Sequence, residues 1–388
     1  MIIIKKIYID NSSTSFPKAK NLGPAISDFI ESGCYNISRG NYEDAYNVGN
    51  IVIETRMMLA KLFNYDKPKN VIFTSGITQS LNMVVKGLLK KGDHVITTTM
   101  EHNAVVRVLA QLEGEVEISY AQGDDFGFVE ISKFEQLIKD NTKAIIVNHV
   151  SNINGIIQDI HSIGALTKKY NITFIVDCAQ SAGHFVVDMN KDNIDVLTFT
   201  GHKGLLGPQG IGGFIIKDEL IDLVKPVNVG GSGSLSDSKY MPDFTPDKYE
   251  AGTLNLPGIV GLNHALKFID EVGIEVIHQK TLALAQKFAK EVNKIDGLIL
   301  KNDFDNHNHD CVVSISATDY DLAQIAYLLD DEYGIMTRCG LQCAYMAHQT
   351  IGTYPQGTIR FSFGYFNDES DVEYAIESLR KIITELEE

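Results

Sequence analysis

Basic residues are scarce: 34 Lys and Arg stand against 50 Asp and Glu, a formal net charge of −16. A field of that sign repels phosphate backbones and anionic lipid surfaces, so neither nucleic acid nor membrane is an expected partner. Long apolar runs are missing as well. No stretch approaches the roughly 18 residues of a membrane-spanning helix, and the opening MIIIKKIYID holds an apolar run far shorter than a signal-peptide core. A cytoplasmic protein is expected. Cysteines number only 5 in 388 residues; an odd, sparse set in a long chain argues against a disulfide framework and leaves room for a thiol with chemistry. There is no internal repeat, no low-complexity tract and no GxxxxGK[ST] phosphate loop.

What is present suffices for a large core: 44% of the residues are hydrophobic and 22% charged, which excludes disorder, collagen and coiled coil. At roughly 150 residues per domain, two domains are expected. From about residue 70 to 217, seven short apolar runs alternate with helical patterns: Val71 to Phe73, Val95 to Thr98, Val116 to Tyr120, Ala144 to Asn148, Thr173 to Val176, Val196 to Thr200 and Gly212 to Ile216. That rhythm predicts an α/β domain built on a mainly parallel seven-stranded sheet, with its ligand at the carboxyl edge. Residues 227–257 are too long and too polar for a simple connection. Beyond them, long helices and isolated strands predict a smaller α+β domain. The boundaries are set at 16–256 for the large domain and at 257–388, with 1–15, for the small one.

Four segments fall at predicted strand ends. Gly201-His202-Lys203 closes an apolar run and precedes the glycine-rich turn GLLGPQG. A lysine held there in a partly desolvated pocket loses its proton readily and can form a Schiff base with an aldehyde, as pyridoxal phosphate (PLP) requires; a solvated loop lysine is the plain alternative. Asp177 ends Phe174-Ile175-Val176, where its carboxylate could hold a pyridine nitrogen protonated or merely cap the next helix. Thr74 to Gln79 ends a strand and opens a helix, an arrangement suited to a phosphate, although an ordinary capped turn reads the same. Glu101-His102-Asn103 places an imidazole that could stack on a flat ring or be a satisfied core histidine. Convergence of all four on one sheet edge makes coincidence a poor explanation.

The motifs FTSGIT, MEHNAVV, VSNINGIIQD, VDCAQSAGH, FTGHKGLLGPQGIGG, YEAGTLN and RCGLQCA, in this order, resemble the cysteine desulfurases, the class V branch of fold-type-I PLP-dependent enzymes. The resemblance covers nearly the whole chain and is closest to the branch whose cysteine lies on a short, ordered loop. It implies that Lys203 carries the cofactor, Asp177 pairs with the ring nitrogen, Gln180 bonds the ring hydroxyl and His102 stacks on the ring. Ile77, Thr78, Thr200 and His202 match the phosphate site, and Asn152 lies near cofactor and substrate. Gly252 and Thr253 resemble a segment that reaches the neighbouring subunit's phosphate, implying a homodimer with composite sites. Arg360, assisted by Arg338, matches the holder of the substrate carboxylate, and Cys343 the nucleophile that takes sulfur as a persulfide. The implied activity converts L-cysteine to L-alanine, with Lys203, His102 and Cys343 catalytic and a sulfur-acceptor protein as partner. Alternatives on the same scaffold are a selenocysteine lyase acting on L-selenocysteine, β-elimination or transamination; a non-catalytic PLP-fold scaffold subunit is the rival of another class.

Two features depart from the family's pattern. Gln342 stands before the cysteine where a histidine is common, which removes that histidine's proton-transfer role. Cys339 adds a thiol in CxxxC spacing, either filling space beside Arg338, the favoured reading, or reaching Cys343 as a relay. With His348 the two cysteines fit no familiar zinc spacing, and no metal is expected. His307 and His309 are expected on a solvated loop; Cys178 and Cys311 lie in apolar strand contexts and are read as structural.

Overall fold

The computed structural model describes residues 5–37 and 42–387; residues 1–4, the start of the apolar opening run, lie outside them. The large sheet has seven strands in the order Val71–Thr74, Gly212–Ile216, Val196–Thr200, Thr173–Asp177, Thr142–Asn148, His94–Thr98, Glu117–Ala121. Gly212–Ile216 runs against both of its neighbours, and the remaining six strands share one direction.

Alternation along each strand builds two cores. Phe174 and Val176 enter one, with Leu59, Leu262 and Ile269 from helices Glu43–Leu62 and Leu256–Val272. Ile175 enters the other, with Leu81, Val84 and Val105 from helices Ile77–Leu88 and Asn103–Ala110. Because both faces are covered, the inner strands are buried at nearly every position, and this is why their apolar residues read as near-continuous runs in the sequence. Glu117–Ala121 at the sheet edge is only partly buried.

A four-stranded antiparallel sheet, ordered Arg338–Gly340, Thr358–Ser362, Val312–Ala317, Leu298–Leu300, supports a separate core of Phe288, Phe361, Phe363, Leu379 and the N-terminal Ile7 and Ile9. Ile7–Tyr8 pairs with Ile335–Met336, tying the start of the chain to this unit. The helix Leu256–Val272 was expected in the smaller domain. Its buried Leu256, Ile259, Leu262 and Leu266 instead complete the core against Leu59 and Phe199, so the change of core falls after this helix rather than at 257. Residues 222–255 contain neither helix nor strand. They are anchored by Glu250, whose buried carboxylate pairs with Arg56 at 2.6 Å and accepts from the Phe73 amide at 2.7 Å.

Candidate active site

Strand ends of the large sheet deliver the site. Asn148 and Asp177 are paired residues on neighbouring strands, and Asp177 neighbours Thr198, five residues before Lys203. The turn bearing Lys203 is closed by its own backbone: Gly201 donates to the Ile211 carbonyl at 2.9 Å and Leu206 to the Lys203 carbonyl at 2.8 Å. The His202 carbonyl accepts from Lys18 Nζ at 2.7 Å and from the Ser15 amide at 2.9 Å, which pins the turn to the N-terminal segment. Glycine is required beneath it. A Cβ on Gly183, at φ 88°, would run into the Gly204 carbonyl next to Lys203.

Burial sets the charges. The Asp177 carboxyl is pushed up to about 6 by burial, although the Ala179 amide donates to it at 2.8 Å and the Lys203 charge favours its ionised form. Lys203 is lowered to about 8 by burial, opposed by Asp177 and assisted by Arg360 and Arg338; the Cys343 thiolate raises it slightly. The charges of Asp177, Arg360, Arg338 and Cys343 thus all bear on Lys203. His102 is brought down to about 4 by burial and then by Lys203, Arg338, Arg360 and Arg107, so it is neutral at pH 7. Its Nδ1 accepts from the Ala104 amide at 3.0 Å as the helix cap, which leaves the proton on Nε2. His202 is likewise lowered to about 4 by burial, Lys203 and Lys18.

The helix Ile77–Leu88 starts at Gly76 with no side-chain cap, so its first amides and the positive end of its dipole face the sheet edge with Thr78. Thr200 is buried beside it, the nearest atom to a Cβ placed on Gly76. Gln180 is buried and donates to the Ser12 carbonyl at 3.1 Å.

The cysteine loop meets this space from the smaller sheet. Arg338 and Arg360 are register partners on adjacent strands, and both donate to Ser13 Oγ, at 3.0 and 2.7 Å. Arg360, 2% exposed, also pairs with Asp10 at 2.6 Å and donates to the Asn152 carbonyl at 2.8 Å, while its Nε is buried and unpartnered. Arg338 Nη2 lies 3.8 Å from Cys343 Sγ. Gln342 and Cys343 both sit at positive φ, 38° and 61°, a conformation costing about 1–2 kcal/mol per residue outside glycine. Hydrogen bonds hold it: Asn152 donates to the Gln342 carbonyl at 2.7 Å, the Asn103 amide to the Cys343 carbonyl at 2.8 Å, and Gln342 Nε2 to the Thr358 carbonyl at 2.8 Å. The outcome is a buried Gln342 beside an exposed Cys343 that shares a cleft with Thr78, His102, Asn103 and Arg107.

Other sequence candidates do not join this space. Gly252 and Thr253 open on a separate cleft with Gly231 and Gly233. Cys339, next to Arg338 on a strand, faces the smaller core and a different groove with Tyr320 and Gly357. Cys339 and Cys343 thus line different clefts. His348 is buried with Nε2 against Gln342 Oε1 at 2.8 Å and Nδ1 against Thr353 Oγ1 at 2.7 Å, so both ring nitrogens are engaged. His309, expected in solvent, is buried: Nδ1 donates to the Asn154 carbonyl at 2.9 Å and Nε2 accepts from the Asp303 amide at 3.1 Å. Its neighbour His307 stacks on Phe128 with ring centroids 5.5 Å apart. The segment Asp10 to Ser15, which grips both arginines, Gln180 and the Lys203 turn, went unrecognised in the sequence; its only signal is a run of small polar residues after an apolar strand.

The aminotransferase class V family model matches residues 7–375. A probable cysteine desulfurase of Borreliella burgdorferi is 31% identical over 98% of this chain and 92% of its own length. Cysteine desulfurase IscS of Vibrio vulnificus is 30% identical over 98% and 93%. The apo structure of cysteine desulfurase from Thermococcus onnurineus NA1 superposes with a TM-score of 0.91 at 30% identity, covering 98% of this chain and 95% of that one. Family match, identity over nearly the whole length and superposition agree: the chain belongs to the class V aminotransferase family, and within it to the cysteine desulfurases.

Proposed function

We propose that this protein is a PLP-dependent desulfurase that releases alanine from L-cysteine and leaves the sulfur as a persulfide on Cys343. The observation that carries the reading is that Cys343 lies 3.8 Å from Arg338 and shares a cleft with Thr78 and His102, while Arg338 and Arg360 converge on Ser13 Oγ; the charges of these arginines, Asp177 and Cys343 bear on Lys203. The residues fit the cofactor: the helix start at Gly76 is uncapped, Asp177 is buried beside a lysine lowered to about 8, and the buried Asn152 Oδ1 and His202 Nδ1 lack partners. Thr78, Thr200, His202 and the Ile77 amide would hold the phosphate, Asp177 the ring nitrogen, Gln180 the ring hydroxyl, and the neutral His102 would stack on the ring.

When bound, the cofactor supplies an electron sink for the substrate's Cα. Lys203 Nζ, half neutral near pH 8, takes the Cα proton and returns it to carbon. Arg360 and Arg338 attract the substrate carboxylate, for which the guanidinium fork is suited; the carboxylate competes with Asp10 and Ser13 for those donors. Cys343 attacks the substrate sulfur, so that the S–S bond forms as the Cβ–S bond breaks, with the Arg338 guanidinium 3.8 Å from Sγ. Gln342 contributes no proton, being fastened to His348 and Thr358. Sulfur then leaves the exposed Cys343 for an acceptor protein or a reductant.

The active unit we propose is a cytoplasmic homodimer in which Gly252 and Thr253 complete the partner's phosphate site. Supporting it, Tyr46, Ile53 and Met57 are each more than half exposed on one stripe of the helix Glu43–Leu62, spaced seven and four residues apart. Among the described residues no helix is long and apolar enough to cross a membrane. The test is turnover of L-cysteine by the PLP-loaded protein, with alanine quantified and Cys343 examined by intact mass. One added sulfur on wild type, and none on Cys343→Ser, is expected. Faster turnover of L-selenocysteine with no persulfide would shift the assignment to a selenocysteine lyase.

A further inference from the structure

On the far side of the Lys203 turn, three chain segments bring four donors together. His184 comes from the segment after Asp177, His278 from the helix Ile274–Val292, and Asp310 and Cys311 directly precede the strand Val312–Ala317. His184 Nδ1 lies 3.2 Å from Asp310 Oδ2 and 3.4 Å from Cys311 Sγ, and the three donor atoms all fall within 4.8 Å of one another. Asp310 is 1% exposed at its side chain, and its other oxygen, Oδ1, has no hydrogen-bond partner. His278 Nδ1, also buried and unpartnered, is 3.8 Å from that oxygen, too far for a hydrogen bond. A fully buried carboxylate oxygen and an imidazole nitrogen that face each other at 3.8 Å, in ion-pair reach but beyond hydrogen-bond distance, leave room for a metal ion bound to both.

We propose that His184, Asp310 and Cys311, with His278 as the fourth donor, form a zinc site that fastens the two sheet units together behind the Lys203 turn. The donor set is the mixture of imidazole, carboxylate and thiolate that zinc accepts in a tetrahedral shell. Bonds of about 2.0–2.3 Å place tetrahedral ligands roughly 3.3–3.8 Å apart, close to the 3.2, 3.4 and 3.8 Å separations seen here. Charge closes as well: one carboxylate and one thiolate balance the dication, and two neutral imidazoles add none. Binding converts the Cys311 thiol to a thiolate and releases its proton to solvent. His278, with 24% of its side chain exposed, offers the entry path. Thiolate and imidazole ligands disfavour magnesium and calcium, which prefer oxygen. His184 links the site to the catalytic region, its ring lying against Gly204 beside Lys203, and the proposal does not depend on the reaction assigned above.

The holoenzyme carrying Cys339→Ser and Cys343→Ser, which removes the two thiols of the other clefts, is incubated with zinc chloride, freed of excess metal and analysed by elemental mass spectrometry. About one zinc per chain is expected, with an unfolding midpoint raised by about 3 °C at a hundredfold excess over Kd. Cobalt chloride in place of zinc should give tetrahedral ligand-field bands in the red, where the cofactor does not absorb, together with a thiolate charge-transfer band. Adding Cys311→Ser or Asp310→Asn to the same background should remove the metal and the thermal shift. Absence of stoichiometric metal in the starting protein, or metal retained at full stoichiometry in a folded Cys311→Ser or Asp310→Asn variant, overturns the site. Should both variants fail to fold, the cobalt spectrum decides: without a thiolate band the proposal falls.

Discussion

At the scale of single residues, the site is governed by what burial does to charge. In the proposed role Lys203 would present a neutral amine to an aldehyde, and a solvated lysine is almost wholly protonated at pH 7. Burial lowers it to about 8, with Arg360 and Arg338 adding to the shift, so the neutral fraction grows about tenfold per pH unit below pH 8 and levels above it. Loading of the apoprotein with PLP, followed by stopped-flow absorbance, should therefore speed up with pH through a midpoint near 8. In Arg338→Gln one like charge is gone, and the midpoint should move upward. A midpoint above pH 10 in the wild type would mean that Lys203 is solvated and that the assignment of the site is wrong. Much of this was legible in the sequence, because a lysine and an aspartate at consecutive strand ends are placed by the sheet itself. The grip of Asp10 and Ser13 on Arg360 was not: it joins residues 350 apart through packing that no local pattern records. The role of Gln342 was hidden for the same reason. Its departure from a histidine reads as a loss in the sequence, whereas in the fold its amide is a strap between His348 and Thr358.

Elements carry that strap and the turn beneath the lysine. The loop between Arg338–Gly340 and the helix Tyr345–Thr350 holds two residues at positive φ, which persists only while Asn152, Asn103 and Thr358 supply their hydrogen bonds. Gln342→Ala removes the side-chain half of this support and leaves the cofactor contacts untouched. Cofactor absorbance and substrate KM should then stay near wild type, while persulfide formation on Cys343 falls by about tenfold to a hundredfold in single-turnover mass spectrometry. Equal persulfide rates in the two proteins would show that the loop needs no strap. The Gly183 turn offers a stability test of the opposite wall. Gly183→Ala introduces a side chain at φ 88° against the Gly204 carbonyl, and strain with overpacking should cost about 3 kcal/mol in chemical denaturation, with loss of Lys203 reactivity. The sheet that these loops decorate was readable from its apolar runs. The helix Leu256–Val272 was misplaced, because an amphipathic helix states which face is buried and not which core receives it.

For the whole molecule, the proposed dimer rests on what a single chain leaves open. Gly252 and Thr253 open on a cleft apart from their own Lys203, and the stripe of Tyr46, Ile53 and Met57 is left exposed by the described residues. If Thr253 serves the partner's phosphate, the two halves of one site lie on different chains, and damage to them can be separated by mixing. Lys203→Ala kills the site that its own chain organises. Thr253→Asp sets a negative charge against the phosphate of the partner's site. Each homodimer should be close to inactive. In a mixed dimer, one site receives an intact Lys203 from the second variant and an intact Thr253 from the first, while the other site carries both lesions. Unfolding and refolding an equal mixture should make about half of the dimers mixed, each with one working site of two, so activity should return to about a quarter of the wild-type level. Residue-level sites contained in one chain predict a different number: refolding the mixture would restore nothing. Sedimentation should show dimers in both parents and in the mixture, and Ile53→Glu, placed in the centre of the stripe, should yield monomers in which no mixing restores turnover.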